Sequence, residues 1–206
     1  DYIVYEIIDD SILVVRGNDG VVRAFHNVCP HRGTLLVEGK GNAKQFVCPF
    51  HGWRFAQDGR CVKVIDRQDW GDCLAKGDAD LAPVQVGLWG GWVWINLAGP
   101  DKATPLLDGI GPEIAADLGR FRMEDMVLHE VVEWDVPVSY FFIVDGFNEI
   151  FHTKQLHGVS PEWVKAARDT SFHIVGDNYM CFVPRAERLE ELAADPDHHR
   201  YAICHY

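Results

Sequence analysis

Basic residues are scarce in this chain. Its 206 residues hold 19 Lys and Arg against 31 Asp and Glu, a net charge of −12, and no basic block interrupts the pattern. Such a surface repels a phosphate backbone, which argues against a nucleic-acid partner. Long apolar runs are missing too, and no stretch approaches the length that crosses a bilayer, so no membrane association is expected. A disulfide framework is also lacking. There are six Cys, but outside one paired motif Cys61, Cys73, Cys181 and Cys204 show no regular spacing. A reducing, cytoplasmic setting is therefore the expectation. What is present is a 48% hydrophobic content, enough for one large domain or two small ones. The chain opens at Asp1 directly into a strand-like stretch and stops at Tyr206 without a turn or polar tail, so it reads as a piece of a longer protein.

The paired motif is Cys29-Pro30-His31-Arg32-Gly33 with Cys48-Pro49-Phe50-His51-Gly52-Trp53. One half is Cys-x-His, the other Cys-x2-His, with sixteen residues between them. Two thiolates and two imidazoles suit a Rieske 2Fe–2S centre, in which two Cys hold one iron and two His the other. Each glycine lets its loop fold tightly, so that backbone N–H groups can point at sulfur. Structural zinc also takes Cys2His2 sets, but zinc pairs usually keep about two to four residues between ligands, more than the Cys-x-His half allows. Four unrelated residues, with the cysteines simply buried, would be a coincidence of two similar loops.

At these residues the chain resembles the Rieske family. Respiratory-chain members carry an extra Cys in each loop, joined as a disulfide. The matching positions here are Thr34 and Phe50, so that bond cannot form. Those members also place a Ser hydroxyl where this chain has Trp53. Fewer hydrogen bonds to sulfur destabilise the reduced, more negative cluster, which implies a potential toward the low end of the Rieske range.

Taken in order, residues 2–8 and 12–16 are short β-branched runs punctuated by Asp9-Asp10 and Asn18-Asp19-Gly20. Strands are expected over 21–27, 45–47, 81–86 and 91–97, with a turn at Asp58-Gly59 and an irregular stretch over 62–80. Trp89, Trp92 and Trp94 read as sheet and core packing. His26 and His129 read as packing or surface imidazoles. The boundaries drawn are 1–98 for a small antiparallel β domain, 99–120 for a Pro/Gly-rich linker with a short helix at 113–118, and 121–206 for the start of a second domain. Within the last, Met126–Val136 roughly alternates and reads as a long strand.

From Ser139 the pattern becomes helical. Asp145, Glu149 and His152 recur at i, i+4 and i+7 and share a face, and His157 follows five residues after His152. Gly158 fits a helix end that would let both imidazoles meet one ion. Two His and a carboxylate form the facial triad of non-haem Fe(II) oxygenases. Alone, this run equally describes a surface helix with solvated His. Downstream of a cluster motif it gives the electrons a destination.

With both constellations in view, the chain resembles the α (terminal oxygenase) subunits of Rieske non-haem iron oxygenases of the ring-hydroxylating type. The resemblance implies an α+β fold: an antiparallel β Rieske domain, then the first part of a helix-grip catalytic domain. It implies a Rieske 2Fe–2S cluster at Cys29, His31, Cys48 and His51, and a mononuclear Fe(II) at His152 and His157. It gives Glu149 the bridge between the cluster of one subunit and the iron of its neighbour, and Asp145 a place beside the iron ligands. Many ring-hydroxylating members have Asp where this chain has Glu149; Glu is also familiar in members acting on quaternary amines and other substrates, so this position does not fix a substrate class. The third iron ligand is expected beyond Tyr206. The implied reaction is hydroxylation, dihydroxylation in the ring-hydroxylating type, of an aromatic or other apolar organic substrate with O2. Electrons would come from an NAD(P)H-dependent reductase, with or without a ferredoxin, to a homotrimer or α3β3 oligomer, as in aromatic hydrocarbon catabolism. The alternative is a Rieske-type electron carrier with no oxygenase activity, which leaves Glu149, His152 and His157 without a role.

Overall fold

The computed structural model describes residues 1–65, 67–75, 77–99, 101–119, 121–147, 156, 170–175 and 179–184. The chain divides into two compact units, Asp1–Met126 and Val127–Tyr206.

The first unit is built on antiparallel strands. β1 (Tyr2–Ile7), β2 (Asp10–Arg16) and β3 (Val22–His26) form a meander, and β4 (Lys40–Gly41) pairs with the outer side of β1. β8 (Pro83–Trp89) joins on β3 and β9 (Trp92–Asn96) closes the edge, giving the order β4-β1-β2-β3-β8-β9. Between them, β5 (Gln45–Val47), β6 (Arg54–Ala56) and β7 (Cys61–Lys63) make a separate three-stranded sheet.

The run Ile12-Leu13-Val14-Val15 does not alternate with polar residues because β2 is covered on both faces. Ile12 packs on one side with Ala24 and Val84, while Leu13 and Val15 pack on the other with Phe25, Phe46, Phe55 and Leu81. The second of these clusters also contains Cys29, Cys48 and Trp53. The metal-ligating candidates are thus seated on the main core, and core packing fixes their loops.

Gly59, in the turn expected at Asp58-Gly59, is required on two counts. Its φ is +85°, and a Cβ there would lie 2.3 Å from Phe25 Cε1.

Several expectations are corrected. Residues 62–80 are not wholly irregular: they include most of β7 and a 3-10 turn at Arg67–Trp70. Within 99–120 the chain forms a helix that was not expected, α1 (Leu106–Ile110), ahead of the one expected at 113–118, which is present as α2 (Pro112–Gly119), and Leu106 comes against Gly87 of β8 so closely that a Cβ on that glycine would sit 2.8 Å away. Pro105 and Pro112 suit helix starts because a proline lacks only an N–H that the first turn leaves unpaired. Trp92 is 61% exposed, so core packing does not extend to it; among the described residues β9 is an edge strand with one side unpaired. His26, half-buried, has Nδ1 3.6 Å from Asp10 Oδ1.

In the second unit, α3 (Tyr140–Phe147) forms where helix was expected, and β10 (Thr170–Val175) pairs antiparallel with β11 (Tyr179–Pro184). Met126–Val136 forms no strand. An alternating pattern becomes a strand only when a neighbour supplies a hydrogen-bonding ladder, and among the described residues none pairs with it. No helix among the described residues is long and apolar enough to cross a membrane.

Candidate metal centre

The two motif loops leave different parts of the unit and fold on one hydrogen-bond plan. The Cys29 N–H donates to the Thr34 carbonyl at 2.8 Å, and the Gly33 N–H donates back to the Cys29 carbonyl at 2.9 Å. In the second loop, the Cys48 N–H donates to the Trp53 carbonyl at 2.8 Å, and the Gly52 N–H to the Cys48 carbonyl at 3.0 Å. Each glycine stands four residues after its Cys and is left-handed, Gly33 at φ +73° and Gly52 at +72°. A side chain would strain either turn. Only the His positions break the match, two residues after Cys29 and three after Cys48.

This frame brings like donors together. Cys29 and Cys48 are buried and their thiols are neighbours. The rings of His31 and His51 lie 4.5 Å apart between centroids. Among the described residues, no three His, Cys, Asp or Glu side chains converge on one point as a single-ion site requires. Donors in two like pairs suit a two-iron cluster better than one tetrahedral zinc. His31 Nδ1 is buried and has no hydrogen-bond partner among the described residues. An orphaned imidazole nitrogen of this kind is costly unless a metal takes its lone pair. The residues therefore fit the cluster that the resemblance implies.

The electrostatics agree. Burial pushes the Cys29 thiol above its ordinary value, with a smaller addition from Cys48, while backbone N–H groups of His31 and Arg32 at the sulfur oppose it. Burial pulls the His31 imidazole below its ordinary value, and the charges of His51 and Arg32 add to this. Both shifts favour the neutral form, at the Cys29 thiol and at the His31 imidazole. The N–H groups aimed at sulfur are suited to a thiolate bound to iron.

Sequence reasoning missed three contributors. Trp53 stacks on His31, with centroids 4.8 Å apart and planes 5° from parallel. Trp70, from the 3-10 turn, meets His31 edge-on at 5.4 Å. No motif marks Trp70, because its contact depends on the path of residues 62–80. The third is Asn27, 1% exposed and two residues before Cys29. Its Nδ2 donates to the Val37 carbonyl at 2.7 Å and to Ser11 Oγ at 3.0 Å, and its Oδ1 accepts from the Val37 N–H at 3.3 Å. Ser11 Oγ in turn donates to Glu6 Oε1. Asn27 thus pins both ends of the first loop to β2. Asn27→Ala leaves the buried groups of Val37 without partners and should cost about 1–3 kcal/mol. A lower urea midpoint at unchanged slope checks this.

Of the other candidates, Asp145 lies on α3 and is exposed. Glu149, His152 and His157 lie outside the described residues.

Comparison with known proteins follows the same division. The model of the Rieske [2Fe-2S] domain matches residues 1–73. The chain is 31% identical over 210 residues to the carnitine monooxygenase oxygenase subunit of Acinetobacter pittii, covering 98% of this chain and 55% of that one. It is 30% identical over 158 residues to the glycine betaine monooxygenase oxygenase subunit of Chromohalobacter salexigens, covering 76% of this chain and 34% of that one. Among solved structures, the quaternary ammonium Rieske monooxygenase CntA in complex with γ-butyrobetaine matches with a TM-score of 0.74 at 30% identity, over 91% of this chain and 51% of that one. The chain spans about half the length of the Acinetobacter pittii subunit and of CntA.

Proposed function

The chain belongs to the Rieske oxygenase family, and from that premise we propose that it is part of the oxygenase subunit of a Rieske monooxygenase acting on a quaternary ammonium compound. The observation that carries the cluster is the pair of matched loops, which sets thiol beside thiol and imidazole beside imidazole, and the oxygenase reading is carried by the likeness to a monooxygenase oxygenase subunit over 98% of this chain. When bound, the 2Fe–2S cluster supplies one-electron storage and a mononuclear iron supplies O2 activation. Cys29 and Cys48 give up their protons and hold one iron of the cluster. His31 and His51 hold the other through neutral imidazoles. His51 is exposed and is the ligand accessible to an electron partner.

His152 and His157 are assigned to the mononuclear iron, Glu149 to the bridge between the two centres, and Asp145 to a place beside the iron ligands. The spacing of these residues, downstream of the cluster motif, supports the assignment. The boundaries 1–98, 99–120 and 121–206 are proposed as its domain plan, with the connecting stretch 99–120 packed on the first unit. An NAD(P)H-dependent reductase, with or without a ferredoxin, feeds the cluster. The bridging role of Glu149 places the two centres on adjacent subunits, as in a homotrimer or α3β3 assembly.

The substrate reading departs from the aromatic hydrocarbon implied by ring-hydroxylating members. The relatives named above are monooxygenases of carnitine and glycine betaine. Glu149, in place of Asp, is compatible with this class without selecting it. The test is NADH-dependent O2 uptake by the full-length protein with its reductase. Uptake should rise with carnitine, γ-butyrobetaine or glycine betaine and stay at background with naphthalene. Stimulation by naphthalene alone would return the protein to the aromatic class.

A further inference from the structure

The two imidazoles of the centre have different surroundings. His51 is exposed, and its only aromatic neighbour besides His31 among the described residues is Phe50, itself 62% exposed. His31 is half-buried and flanked on two sides: Trp53 covers its face, the half-buried Trp70 meets its edge, and the two indoles contact each other at 5.5 Å and 71°. Trp53 is 3% exposed, and Trp70 packs on the core cluster that contains both cysteines. The 3-10 turn that carries Trp70 is tied down by the Arg67 guanidinium, which donates to the Leu74 carbonyl.

We propose that Trp70 is a positioning residue that, with Trp53, seals the His31 side of the cluster from water and holds its reduction potential low. This rests on the cluster assignment above. In the oxidised cluster, two ferric ions balance two sulfides and two thiolates, with both imidazoles neutral. One added electron leaves a net negative charge on the group. A dry aromatic wall offers that charge no hydrogen bonds and little dielectric screening, so it disfavours the reduced form. The wall is one-sided, which leaves His51 as the side open to water and to electron partners.

The test is an EPR-monitored dithionite titration of the full-length holoprotein as wild type, Trp70→Gln and Trp70→Phe. Gln opens the wall and brings a polar group to it. The expected result is about a tenfold rise in the reduced-to-oxidised ratio at fixed poise, which is about 59 mV for one electron. Phe keeps an aromatic ring at the edge of His31 and should stay at the wild-type potential. A Gln variant with its full iron and sulfide at unchanged potential overturns the proposal. Loss of the cluster from either variant also overturns it, because Trp70 would then be a folding element. Absence of a Rieske signal from the wild type would instead overturn the cluster assignment, a separate failure.

Discussion

Cys48→Ser empties the cluster while the β fold persists: iron and acid-labile sulfide fall to near zero, the visible absorption is lost, and no Rieske EPR signal appears after dithionite. The iron held by the cysteines needs a thiolate at position 48, and a Ser hydroxyl does not ionise at neutral pH to replace it. Cys48 is 2% exposed within a core shared with Phe46, Trp53 and Phe55, so the smaller, near-isosteric Ser disturbs little volume. What it adds is a buried hydroxyl, at a cost of about 1–3 kcal/mol if unpaired. The loop itself is held by backbone bonds from the Cys48 N–H to Trp53 and from the Gly52 N–H to Cys48, which do not involve the sulfur. Circular dichroism should therefore retain the strand signal as the metal signals vanish. An unchanged cluster spectrum would rule out the Rieske assignment, and zinc without sulfide in the wild type would show that the loops bind a single ion.

The centre was legible in the sequence because it depends on short-range features. Cys, His and Gly at fixed offsets specify a tight loop whatever surrounds it, and both loops turn at the left-handed glycine four residues after the Cys. The strands of the meander were legible for a similar reason, since their β-branched runs are bounded by turn residues. What escaped was non-local. Asn27 looks like an ordinary polar residue, and only the fold shows its amide reaching Val37 ten residues on and Ser11 sixteen residues back. Trp70 sits in a stretch with no periodicity, and its indole becomes part of the site by packing on His31 and Trp53. Met126–Val136 failed in the opposite sense: a rough alternation with no described strand to pair with stays irregular.

Glu149→Ala should leave both metal centres occupied and slow the transfer of electrons between them by about 10–100-fold. Asp145, Glu149 and His152 fall on one helical face by their spacing, and α3 already carries the first of them over Tyr140–Phe147. A carboxylate next to an iron-ligating His holds that ring by hydrogen bonding. In the arrangement proposed above, the same carboxylate would reach an exposed ligand such as His51 on a neighbouring subunit and give the electron a bonded path. Ala removes the path but none of the proposed metal ligands. The variant should therefore show wild-type iron and sulfide contents and an intact Rieske spectrum. In a single-turnover experiment on the full-length protein, oxidation of the reduced cluster by O2 and substrate should be slow. If turnover instead proceeds at the normal rate, Glu149 is not the bridge. An electron carrier without oxygenase activity would behave differently again, with iron equal to sulfide and no substrate-dependent oxidation of the cluster in either wild type or variant.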